Sequence, residues 1–191
     1  LVRKGHASVL ASVRQKLIAE RAKRPAPKID TKPIAAWNAM TGTAFCMGYR
    51  LLRDSRYLEA AIVIGEKLIQ SARPLVSRIL GHSDVGTLED QAWTLELWLE
   101  LYSCTGSDAW LSAIADLIPH ILSDFKNAKI GFQLQHSKSK IPVPIPCADD
   151  ASEHSPLGVL MRGLEIAALI GGLGIEKKTL EQFWSTISID V

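Results

Sequence analysis

Two short stretches repeat one joint: Asp54-Ser55-Arg56-Tyr57-Leu58 and Ser107-Asp108-Ala109-Trp110-Leu111. Each ends a mostly apolar helical run and opens a second, amphipathic one, with Tyr57 matching Trp110 at a separation of 110 − 57 = 53 residues. That spacing is one helical hairpin plus its loops, and hairpins repeated at such a period stack into a solenoid or close into a ring. In a ring the less charged helix of each pair faces inward. Pro33–Tyr49 fits the inner role and Ser55–Ser71 the outer one.

The rest of the chain reads almost entirely as helix. An amphipathic helix is expected from about Ser8 to Lys23, ended by Arg24-Pro25-Ala26-Pro27, because proline fixes φ and clashes with a preceding helical turn. A second starts near Thr31, with Asp30 or Thr31 as cap and Pro33 in the first turn, and runs to about Arg53. Its small residues (Ala35, Ala36, Gly42, Ala44, Gly48) predict close helix neighbours. A third begins after Asp54 or Ser55. The fourth opens Thr87-Leu88-Glu89-Asp90, where Thr87 caps and Asp90 takes the capping-box position; Gly106 ends it. Ser107 caps the fifth, which Pro119 is expected to kink. Residues 128–147 lose the helical period, and IGFQLQ and IPVPIP read as short extended pieces that could pair as one hairpin. A sixth helix has Ser155 as cap, Pro156 in its first turn and Gly171 at its end, and a seventh holds Leu180, Phe183, Trp184 and Ile187.

Composition narrows the function classes. The chain has 191 residues, 47% of them hydrophobic, enough for a real core. A formal charge of +2 makes no electrostatic case for nucleic acid. The bases between Arg14 and Lys28 lack interleaved aromatics and read as a solvated helix face and linker. Cys46, Cys104 and Cys147 lie far apart with no CxxC, which suits a reducing, cytoplasmic compartment. The histidines show no ligand spacing, so neither metal nor other cofactor is expected. Pro33–Tyr49 is too short and polar to span a membrane. The chain opens on Leu1, and it is expected to be a single α/α-hairpin domain cut from a longer protein.

Several motifs then line up. RPAPKIDTKPIAAWNAM resembles the R-x-P-x-x-D-D-K-x-x-x-x-W-N stretch of the thioredoxin-domain-containing, spermatogenesis-associated-type family. The C-terminal region of that family is similar to N-acylglucosamine 2-epimerases and six-hairpin glycosidases. Leu88-Glu89-Asp90-Gln91-Ala92 resembles its L-x-D-Y-A, YSCTGSDAWL its Y-x-x-T-x-D-x-x-W-L, Ile130 to Phe132 its G-G-F, and Cys147-Ala148-Asp149-Asp150-Ala151 the entry to its D-G-A-x-P-S-G-N-S. The likeness covers most of residues 17–171. It departs where Thr31 replaces the second acid of D-D-K, where Gln91 replaces a Tyr, and where Glu153-His154-Ser155-Pro156-Leu157 replaces the P-S-G-N-S loop. The resemblance implies an all-α fold, a partial (α/α)6 toroid of about seven helices with one short β-hairpin-like insert. The thioredoxin-like domain and the first part of the ring are expected to lie outside this chain. The open arc would pair with that missing part or with another copy.

Under that resemblance the starts of the inner helices face a central funnel. Trp37 would stack on a sugar ring and Asn38 would hold hydroxyls, with Asp30 and Glu89 nearby. Asp90 with Glu153 or His154 would move protons, as buried carboxyls and imidazoles can. Each has a plainer role: core packing for Trp37, a loop bond for Asn38, the capping box for Asp90, the surface for His154. Two functions are therefore expected alternatives: a carbohydrate-handling domain, or a non-catalytic interaction scaffold.

Overall fold

The computed structural model describes residues 7–150 and 154–187. The chain divides into two units, one ending at Thr31 and the other starting at Lys32. The first holds helix α1 (Ala7–Ala22). It closes on a Lys23–Glu20 ion pair of 2.6 Å, one turn apart. No regular element follows from Pro25 to Pro33, where two prolines, Pro25 and Pro27, remove helix-forming donors. Val9, Leu10, Val13, Leu17 and Ile18 of α1 are exposed.

The second unit is built from α2 (Ala35–Leu52), α3 (Ser55–Ser71), α4 (Leu88–Thr105), α5 (Asp108–Asp124), α6 (Pro156–Ile170) and α7 (Lys177–Ile187), with a two-stranded hairpin of β1 (Lys126–Asn127) and β2 (Gly131–Phe132). The fold is all-α with a small antiparallel insert. α4 packs against α2 on one side and α6 on the other. α3 lies on α2 and α4, α5 on α4, and α7 on α6. Three hairpins thus stand side by side, with α2, α4 and α6 forming one row.

α4 is central, and most of it is buried. Leu88, Leu95, Leu97, Trp98 and Leu101 are fully or almost fully buried. Glycines on both neighbours let it approach closely. A Cβ added at Gly42 of α2 would stand 2.8 Å from a Leu97 methyl, and one at Gly163 of α6 would stand 2.9 Å from Leu95. The Trp98 indole donates to the Gly65 carbonyl of α3 at 3.3 Å, satisfying its polar atom inside the core. Tyr57 lies against Gly48 and Phe45 of α2, while Trp110 packs on Gly65 of α3, so the repeated joint places an aromatic ring on a neighbouring helix both times.

The caps read from sequence are present at most ends. Asp54 accepts from the Arg56 N–H at 3.0 Å, Thr87 and Asp90 form their box, Gly106 closes α4 in the left-handed region with φ 66°, and Ser155 accepts from the Gly158 N–H at 3.0 Å. α5 continues through Pro119 to Asp124.

Two boundaries differ from expectation. α2 starts at Ala35, not near Thr31, and neither Asp30 nor Thr31 caps it. Pro33 and Ile34 are instead held in extended form: the Leu80 N–H donates to the Pro33 carbonyl at 3.0 Å and the Ala35 N–H to the Arg78 carbonyl at 2.8 Å. The hairpin pairs Lys126 with Phe132 and Asn127 with Gly131. IPVPIP forms no strand, since three prolines remove alternate donors. Its remaining contacts run through the Leu134 N–H to the Ile145 carbonyl (2.9 Å) and the Gln135 side chain to Val143 and Ile145.

Candidate functional site

A cleft of about 610 Å3 opens along the row of α2, α4 and α6. Each helix contributes one stripe at helical spacing: Thr43, Met47 and Arg50 from α2; Trp93, Glu96 and Glu100 from α4; Gly158, Val159 and Arg162 from α6. Asp150, His154 and Ser155 close one end.

The two glutamates stand one turn apart on α4, the helix with the most buried residues among those described. Ion pairing makes their burial tolerable. Arg162 pairs with Glu96 through Nη1 and lies 3.9 Å from Glu100 through Nη2. Glu100 pairs with Arg50 on the opposite wall. That hydrogen-bonded carboxylate holds the Arg50 guanidinium above even its ordinary range. The three helices are thus stitched by alternating charges, Arg50–Glu100–Arg162–Glu96.

The polar groups of the cleft are not all used. Four buried side-chain polar atoms among the described residues have no hydrogen-bond partner: Thr43 Oγ1, Trp93 Nε1, Glu96 Oε2 and Glu100 Oε2. All four residues line this cleft. Glu100 Oε2 at least faces Arg50 as an ion pair. The other three lack any partner, which is uncommon for buried polar atoms and costly where no ligand or water completes them. Chemically they offer one donor (the indole N–H), one acceptor (the carboxylate oxygen) and one group that does both (the hydroxyl).

The residues singled out from sequence are distributed unevenly about this cleft. His154 lies in its wall. Glu153 falls outside the described residues. Asp90 is completely buried and lies elsewhere. Its Oδ1 accepts from the Ala36 N–H at 3.1 Å, and its Oδ2 accepts from the Thr87 N–H at 2.8 Å, the Thr87 hydroxyl at 3.0 Å and Arg78 Nη1 at 3.2 Å. One carboxylate therefore caps two helices, its own and α2. Burial pushes its pKa up, against the pull of the Thr87 amide, the Arg78 charge and the Ala36 amide. Glu89 shares Arg78 at 3.3 Å. Asn38 donates from Nδ2 to the Ile34 carbonyl at 2.8 Å, closing the first turn of α2. Trp37 is 56% exposed on α2 and does not line the cleft. Asp30 is exposed in the N-terminal unit.

Gln91, which stands where the resembled family has Tyr, is also structural. Its amide binds both polar atoms of Val76, accepting from the N–H at 2.9 Å and donating to the carbonyl at 2.8 Å. Cys46 lies beside Cys104 beneath the Arg50–Glu100 pair, and burial pushes its thiol up to about 12. Among the described residues no cluster of three His, Cys, Asp or Glu side chains is placed to hold a metal ion, and no helix is long and apolar enough to cross a membrane.

Sequence reasoning missed Trp93, Glu96, Glu100, Arg50 and Arg162. A signal for them exists: two acids at i and i+4 inside LELWLELY, and a lone arginine inside VLMRGLE. No family model matches the chain, and no curated protein matches it.

Proposed function

We propose that this chain is a carbohydrate-handling domain that binds a polyhydroxylated ligand in the cleft between α2, α4 and α6. The observation that carries this reading is that Thr43, Trp93 and Glu96, each with a buried polar atom that has no partner, all line one hollow. A sugar presents hydroxyls that both donate and accept at short intervals, and its apolar face suits an indole wall. Glu96, with one oxygen on Arg162 and the other unused, accepts a sugar hydroxyl; His154 in the same wall is the candidate to exchange a proton with it. The motifs that resemble the family similar to sugar epimerases and six-hairpin glycosidases point the same way as a fold-level analogy.

A panel of mono- and disaccharides tests it by thermal shift. A sugar at about 100 times its Kd adds about 2.7 kcal/mol. For a chain of this size that is a rise of roughly 5–11 °C. Glu96→Gln should weaken the response about tenfold in affinity. No shift with any saccharide would favour the second reading, an interaction scaffold. A specific observation supports that alternative: Trp37 and Leu51 stand 56% and 80% exposed along one edge of α2, where a partner helix would cover them.

A further inference from the structure

We infer that the segment joining α3 to α4 forms a second ligand site, separate from the cleft, that takes the phosphoryl group of a small molecule. It does not depend on the sugar reading.

A hollow of about 460 Å3 lies between the end of α3 and this segment. Lys67 comes from the last turns of α3, and Arg73, His82 and Ser83 come from the connection. Among the described residues no Asp or Glu lines it. Its charge pattern is the reverse of the cleft's, where every arginine faces a glutamate. Here Lys67 and Arg73 enter no ion pair among the described residues. Cations near a helix C-terminus complement its dipole, which accounts for Lys67. It does not account for Arg73, His82 and Ser83, which lie beyond the helix and meet at the same hollow.

The floor beneath these side chains is fixed. Ser77 is buried and donates to the Ile79 carbonyl at 3.0 Å, so in the 2.6 Å contact between the two hydroxyls Ser71 is the donor. Val76 is clamped by Gln91 on both its polar atoms and accepts again from the Gly86 N–H at 2.9 Å. A rigid floor under unpaired cations and a free hydroxyl is preorganised for an oxyanion with several acceptor atoms. A phosphoryl group supplies three oxygens and a charge of about −1.5 to −2 at neutral pH. The hollow is larger than that group alone, so a phosphate monoester fits better than inorganic phosphate.

The test is calorimetric titration of the full chain at constant ionic strength with inorganic phosphate, with glycerol 3-phosphate and with sodium chloride as control. Saturable binding is expected for both phosphates, tighter for the ester, and none for chloride. The Lys67→Ala/Arg73→Ala double substitution should lower affinity about tenfold or more, since it removes two charge-assisted hydrogen bonds. Both side chains are exposed, so helical circular dichroism should be unchanged. Lys129→Ala, an exposed cation in the turn between β1 and β2, should bind phosphate like the parent. The inference is overturned by absence of saturable binding, by full binding in the double variant, or by equal loss in Lys129→Ala. Binding of inorganic phosphate as tight as the ester would overturn the monoester assignment.

Discussion

Replacing Asp90 by alanine removes the acceptor shared by two helix N-termini. The Ala36 N–H at 3.1 Å loses its partner in fully buried surroundings, and the Thr87 N–H at 2.8 Å loses its partner in half-buried ones. Each buried donor left unsatisfied costs about 1–3 kcal/mol. Arg78 keeps Glu89, so its charge is not stranded. The expected loss is about 4 kcal/mol, equivalent to a fall of about 8–16 °C in Tm for a chain of this size. Asp90→Asn keeps one carbonyl oxygen and should cost about half as much. Urea unfolding followed by helical circular dichroism gives the energies, and hydrogen exchange at the Ala36 amide reports the local effect. A loss under about 1 kcal/mol with an unchanged Ala36 exchange rate would refute the role of Asp90 as a shared cap. A residue serving only ligand chemistry would behave in that second way.

Other predictions follow from the packing and the thiols. Gly42→Ala and Gly163→Ala each press a methyl to within 3 Å of a Leu97 or Leu95 side chain. Overpacking of about 1–3 kcal/mol should outweigh the helix-propensity gain of about 1 kcal/mol, so both variants melt lower in a thermal scan. With native protein, iodoacetamide should label Cys104 first and spare Cys46 and Cys147, whose thiols burial pushes up to about 12 and about 11, as peptide mass spectrometry would show. A thiol whose folded pKa exceeds its unfolded value stabilises fully below the unfolded value and loses that contribution as pH rises. Stability should therefore decline from about pH 9 toward 12, and Cys46→Ala should flatten part of that decline in urea titrations. Gly86→Ala would set a Cβ 2.8 Å from Asp90 Oδ2 and 2.9 Å from the Val76 carbonyl, so it should destabilise along with the Asp90 variants.

What the sequence discloses here is what local chemistry decides. Asp54, Thr87 with Asp90, Gly106, Ser155 with Pro156 and Gly171 mark helix ends because a cap acts within one turn, and their residue types announce it. The 53-residue joint gave the hairpin pairing for the same reason. The start of α2 was not legible, because its cap comes from Asp90, 54 residues away, and from extended pairing of Ile34 with Ile79. The hairpin partner Lys126–Asn127 carries no β-branched or alternating signal. Trp37, Asn38 and Asp90 drew notice as polar or aromatic groups at helix starts, yet two of them serve the backbone. Arg50, Glu100, Arg162 and Glu96 meet only because three separate helices bring them face to face, which no local pattern encodes.

The Trp93 indole N–H tests the central claim most directly, since it lines the cleft without a partner and yields its own resonance in a 1H–15N spectrum. Titration with the saccharide that raises Tm most should move that resonance saturably, with Glu96→Gln weakening the response. A contrary result is a Trp93 signal that stays still for every saccharide, or one that stays still while Trp37 moves, which would take the ligand out of the cleft.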